Sequence, residues 1–192
     1  MKKLLLTLVL LWPVAGLAGF AEGYEAFQRG DFATAMREWR PLAEAGDATA
    51  QYNLGVMYAN GQGVPEDDAE AVKWYRLAAE QGNASAQVNL GLMYDDGEGV
   101  PEDDAEAVKW YRLAAEQGNA SAQFNLGQMY RNGQGVPEDY ALAYAWHNLA
   151  AAQGDKDASK SKDFIRKDMT PAQIARAQEL SNTLARRIAR GE

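Results

Sequence analysis

Residues 61–91 read GQGVPEDDAEAVKWYRLAAEQGNASAQVNLG, and residues 97–127 read GEGVPEDDAEAVKWYRLAAEQGNASAQFNLG. The two 31-residue stretches start 36 residues apart and differ only at Gln62/Glu98 and Val88/Phe124. A self-similarity of this period marks a stacked repeat, in which one supersecondary unit recurs and buries its apolar side on its neighbours. The strings opening at Ala48, Ala84 and Ala120 fall in register, as do Trp74, Trp110 and Trp146. The natural units are therefore 47–82, 83–118 and 119–154.

Each unit reads as two helices. In the first, helix A, Ala50, Leu54, Met57 and Tyr58 recur at i, i+4, i+7 and i+8, one apolar face of an α-helix. Gly55 costs helix propensity at the edge of that face, and the gain expected in return is close approach of a neighbouring helix. Asn60 to Pro65 is a breaker cluster. In helix B, Ala71, Trp74, Tyr75, Ala78 and Ala79 form the apolar face. Its start carries a D-x-x-E capping pattern at Asp67/Glu70 and Asp103/Glu106. Gly82, Gly118 and Gly154 are placed to end helix B in the left-handed conformation.

The flanks read as variants of the same unit. Tyr24–Phe27 and Phe32–Trp39 give a degenerate N-terminal helix pair over 22–46, and capping helices fill 155–192. In that tail Thr170, Pro171 and Gln173 stand as N-cap, first-turn proline and capping-box partner. Ile174, Ala177, Leu184 and Ile188 make its apolar stripe. Such an end helix covers the last repeat and keeps its other face wet.

The first residues form a different kind of segment. Met1-Lys2-Lys3 precedes an apolar run from Leu4 to Val14, broken only by Thr7 and Pro13. Small residues at Gly16/Ala18 and Gly19/Ala21 suit cleavage after Ala18 or Ala21. This is the layout of a secretory signal peptide over 1–21, too short to span a bilayer core of about 30 Å. The expected location is periplasmic or secreted, in a Gram-negative bacterium, with no membrane span after cleavage.

Composition narrows the chemistry. The sequence has no cysteine, so it has no disulfide framework and no thiolate site. The net charge of -8 becomes -10 once Lys2 and Lys3 are removed. Residues 22–155 hold 22 acids against 8 bases, whereas 156–192 hold 5 acids against 9 bases. An acidic body argues against nucleic acid as its partner.

These residues resemble the Sel-1-like repeat family, relatives of the tetratricopeptide repeats. The carriers are A-x-A-Q-x-N-L-G-x-M-Y, G-x-G-V-P-x-D and A-x-x-W-Y-x-x-A-A-x-Q-G, nearly letter for letter at 48–82 and 84–118. The third unit departs at Tyr140–His147 and resembles the closing repeat of bacterial members. The resemblance implies an all-α, right-handed α/α superhelix of antiparallel helix pairs, used as a scaffold for protein partners. Bacterial members are often exported and serve envelope assembly, polysaccharide production or host interaction. Cysteine-rich relatives linked to penicillin binding carry a disulfide in each repeat, which this chain lacks.

Few residues suggest catalysis. His147, the single histidine, fills the slot of Tyr75 and Tyr111, and general acid–base or metal work needs partners that this column lacks. Ser159 and Lys162 satisfy S-x-x-K, the pattern of penicillin-recognising enzymes, but the companion S-D-N and K-T-G strings are absent, so a β-lactamase-like hydrolase is the least favoured reading. The acidic runs at 95–98 and 102–104 do not match a calcium loop. No metal, cofactor or enzymatic activity is expected.

The functional signal lies in what varies between copies. Helix-A positions 52, 56 and 59 read Tyr52/Val56/Ala59, Val88/Leu92/Asp95 and Phe124/Gln128/Arg131. Positions needed only for stacking should repeat, and these do not. Of these, Tyr52, Val56, Val88, Leu92, Phe124, Gln128 and Arg131 are the candidate partner-binding residues of a monomeric adaptor for a protein or peptide. The same side chains also suit packing between repeats, and an envelope glycan (peptidoglycan or exopolysaccharide) is the alternative ligand.

Overall fold

The computed structural model describes residues 12–191, with side chains from residue 18. Most of the expected signal peptide therefore lies outside the described residues. Among those described, the chain forms ten α-helices and no strand. It divides into two compact units, one ending at Ala78 and the other beginning at Ala79.

The first unit contains α1 (Trp12–Gln28), α2 (Phe32–Glu44), α3 (Ala48–Ala59) and α4 (Asp68–Glu80) as far as Ala78. The N-terminal pair is longer than residues 22–46 suggested, because α1 extends back through Ala21 and Ala18. The reason is packing on Trp39. Its ring lies 6.1 Å from that of Phe20, and its indole Nε1 donates to the Phe20 carbonyl at 3.2 Å. Gly23 leaves the room this indole occupies, since a Cβ there would collide with it. Trp39, Leu54 and Met57 then form the buried centre of the unit.

The second unit contains the end of α4, then α5 (Ala84–Asp96), α6 (Asp104–Glu116), α7 (Ala120–Asn132), α8 (Tyr140–Ala152), α9 (Lys156–Arg166) and α10 (Pro171–Arg190). Its core gathers Tyr111, Leu126, Met129 and Trp146, with Leu184 and Ile188 of α10 packed against it. The terminal cap forms as the residues require. Gln173 donates its backbone N–H to Thr170 Oγ1 at 3.3 Å, and its side-chain oxygen accepts from the Thr170 N–H at 2.8 Å.

The repeated connections have a stricter logic than the loop composition suggested. Gly63 and Gly135 both adopt positive φ. A Cβ on Gly63 would come within 2.9 Å of the Phe32 carbonyl, at the start of α2. On Gly135 it would collide with the backbone at Asp104, the first residue of α6. Glycine is thus needed there for both conformation and close approach.

The capping box expected at Asp67/Glu70 and Asp103/Glu106 is only half formed. Asp67 accepts from the Glu70 N–H at 2.9 Å, and Asp103 accepts from the Ala105 and Glu106 N–H groups. The returning bond from glutamate is not made, because the backbone N–H of each aspartate is already committed. Asp67 donates to the Tyr58 carbonyl at 3.0 Å and Asp103 to the Tyr94 carbonyl at 2.9 Å. Glu70 and Glu106 instead pair with Lys73 and Lys109 at 2.6 and 3.0 Å.

Candidate functional site

Each repeat is locked by an aromatic ring of helix B lying over the glycine of helix A. A Cβ on Gly55 would sit 2.5 Å from the Tyr75 ring, on Gly91 2.6 Å from Tyr111, and on Gly127 2.7 Å from His147. The residue three positions before the glycine closes over the same ring in two copies. Tyr52 lies on Tyr75 with centroids 6.0 Å apart, and Phe124 lies on His147 at 5.4 Å.

The variable helix-A residues therefore have mixed fates. Val88 is only 7% exposed and belongs to the core around Tyr111, so it is not free to meet a partner. Its short side chain sinks where the longer Tyr52 and Phe124 stay half exposed. Leu92 is 39% exposed. Arg131 lays its guanidinium over the Phe164 ring of α9, 4.8 Å from the centroid, and Gln128 has a buried side-chain oxygen without a hydrogen-bond partner. Tyr52 and Val56 come together with α1 and α2 in the first unit, where they line a cavity of about 190 Å³ with Tyr24, Phe27 and Trp39. Tyr24 is half exposed at its rim.

The second unit has a larger depression, about 800 Å³, bounded by the end of α4, by α6 and by the end of α10. Trp110, Leu113 and Ile188 provide its apolar lining, and Glu80 and Glu116 its charge. No contrast between copies of helix A signals it, because it is built largely from helix B and α10.

His147 is fully buried, and neither ring nitrogen has a hydrogen-bond partner. Burial, reinforced by Arg131, pushes its pKa down to about 4, against a smaller opposing effect of Asp155. The ring is neutral at pH 7 and is packed as an aromatic residue. Lys162 donates to Asn148 at 3.2 Å, on the neighbouring helix α8. Among the described residues no three His, Asp or Glu side chains are placed to share a metal ion, and no helix is long and apolar enough to cross a membrane.

A second repeated element was hidden in the sequence. The buried Gln51, Gln87 and Gln123 donate to the carbonyls of Ala43, Ala79 and Ala115 at 3.0, 3.0 and 3.1 Å, each in the last turns of the preceding helix. Gln117 and Gln153 donate in turn to the side-chain oxygens of Gln87 and Gln123 at 2.8 and 2.9 Å. The glutamines of the A-x-A-Q and Q-G strings thus join successive repeats of the second unit.

No curated protein matches the chain at a significant level. Solved structures do. A Sel1 repeat protein from Oxalobacter formigenes is 38% identical, with a TM-score of 0.70 over 73% of this chain and 58% of its own. A protective antigen present in uropathogenic Escherichia coli strains, displaying an SLR fold, is 41% identical, with a TM-score of 0.78 over 91% of this chain. The chain spans only 38% of that antigen's length. The Sel1 repeat family model matches three consecutive segments, 48–83, 84–119 and 120–155. With its helix pairs, glycine–aromatic locks and glutamine links repeated in step with those segments, the chain belongs to the Sel1 repeat family.

Proposed function

We propose that this Sel1 repeat protein is an exported, non-enzymatic adaptor that binds a protein or peptide partner on its helix-A surface. Sel1 repeats generally mediate protein–protein interaction, which gives the class of function. The observation carrying the finer reading is the apolar cavity beside α3. Tyr52 and Val56, two residues that change between copies, line it with the half-exposed Tyr24. A small apolar pocket with an aromatic rim suits one anchoring side chain, and such anchors supply much of the energy of protein interfaces.

The test is selection of phage-displayed peptides on the full chain, followed by binding to Val56→Glu. Peptides with an aromatic or leucine anchor should emerge and lose roughly tenfold in affinity on the variant. Equal binding to both chains would defeat the helix-A assignment. Saturable binding of muropeptides at these residues, without peptide binding, would favour the glycan module instead.

Export rests on the basic start and the apolar run to Val14. Of the two cleavage positions we favour Ala18, because cleavage after Ala21 would remove Phe20, whose ring and carbonyl contact Trp39. N-terminal sequencing of the exported chain should begin at Gly19. A start at Glu22, or a retained leader, would overturn this choice.

A further inference from the structure

We propose a second docking surface, separate from the helix-A cavity: the cleft between α6 and the end of α10 receives a cationic amphipathic helix from a partner protein. The chain displays the chemistry of the occupant itself. Leu184 and Ile188, one turn apart on α10, pack against the core that includes Trp146, and Leu149 packs against the same core. Between them on the helix, Arg187 approaches Glu116 at 4.0 Å.

Every groove residue in that arrangement has a counterpart 36 positions earlier, and those counterparts line the cleft. Trp146 corresponds to Trp110, Leu149 to Leu113 and Glu116 to Glu80. Leu149 is half-buried against the core that Leu184 and Ile188 also cover, whereas Leu113 is 41% exposed. The last turn of α10 reaches only the edge of this layer, where Ile188 and Gly191 line one side of the cleft and Gly191 ends the helix with φ 68°.

Size and charge agree with one kind of occupant. A helical turn with its side chains, 5.4 Å tall and about 10 Å across, fills on the order of 400 Å³. A cleft of about 800 Å³ thus holds about two turns. Its described lining carries two carboxylates, Glu80 and Glu116, and no basic residue. An apolar i, i+4 pair flanked by arginines satisfies both halves of this surface, the usual way a helix is read by a groove.

The test uses a fluorescent peptide of residues 171–190 titrated into the full chain and followed by anisotropy. The expected result is saturable one-to-one binding that falls roughly tenfold with Glu80→Lys and with Leu113→Asp, both at exposed positions. A peptide with Arg186, Arg187 and Arg190 changed to glutamate should bind roughly tenfold more weakly, and affinity should drop between about 0.05 M and about 0.5 M salt. Circular dichroism identifies any variant that has lost its fold. No saturation, or binding indifferent to both variants, would overturn the proposal. Loss of binding only on Leu149→Asp would show exchange with the resident α10, also against it. A dimer in sedimentation equilibrium that disappears with Leu113→Asp would assign the cleft to a second copy rather than a partner. Because Val56→Glu probes the other unit, the two docking readings fail independently.

Discussion

The imidazole of His147 lies over Gly127 so closely that a Cβ on the glycine would sit 2.7 Å from Cε1 and 2.8 Å from Nδ1. The same relationship joins Gly91 to Tyr111 and Gly55 to Tyr75. Glycine in mid-helix sacrifices propensity, and the structure shows the return: a flat ring from helix B rests on bare backbone of helix A. The lock is therefore a backbone–ring contact, and a single methyl group is enough to obstruct it.

Gly91→Ala should consequently destabilise the chain even though alanine favours a helix by about 1 kcal/mol over glycine. Tyr111 is fully buried, and a Cβ on Gly91 would sit 2.6 Å from its ring. Overpacking of this kind costs about 1–3 kcal/mol, and part of the cost is offset by propensity. Urea denaturation should show a lower midpoint with an unchanged slope. A midpoint at or above that of the parent chain would mean that the ring contact contributes little.

Much of this was legible in the sequence, for particular reasons. The helix pairs were legible because two 31-residue strings that differ at only two positions must fold alike. Gly55 announced a close approach because nothing else justifies glycine inside an amphipathic helix. Thr170, Pro171 and Gln173 declared their cap because all its bonds are local. The buried glutamines were not legible, since Gln123 meets Ala115 and Gln153 only after two helices pack. Glu106 misled for a similar reason: its apparent backbone target at Asp103 is taken by the Tyr94 carbonyl. Val88 could be read as either a packing or a partner-binding residue, because residue type alone does not show how far a side chain sinks between helices.

The glutamine link predicts an order of stability that simple loss of volume does not. Gln123 is 1% exposed, donates to the Ala115 carbonyl at 3.1 Å and accepts from Gln153 at 2.9 Å. Gln123→Ala removes both bonds and should cost about 1–3 kcal/mol. Gln123→Glu keeps the shape but replaces the donor with a carboxylate facing a carbonyl at the negative end of α6. At pH 7 the glutamate variant should therefore unfold at lower urea than the alanine variant, and the gap should narrow toward pH 5 as the carboxyl takes up a proton. A glutamate variant as stable as the parent would show that the amide donor is dispensable.

His147 makes the stability of the second unit sensitive to acid, and the sign follows from its surroundings. The ring is packed by Phe124 and Gly127 of α7, with Arg131 on the same helix opposing a positive charge and Asp155, at the start of α9, weakly favouring one. Folding therefore lowers the pKa from 6.5 to about 4. Between those values the unfolded chain binds a proton that the folded chain excludes. The stability due to a neutral, buried ring is full above the unfolded pKa and declines as pH falls from about 6.5 toward 4. A shift of that size corresponds to about 3 kcal/mol. His147→Tyr places in this repeat the residue that the other two carry, and it should remove that part of the acid sensitivity while leaving the fold intact. Urea midpoints measured from pH 7 down to pH 4 should fall more steeply for the parent chain than for the tyrosine variant. Parallel curves would mean that the ring accepts a proton in the folded state as readily as in the unfolded one.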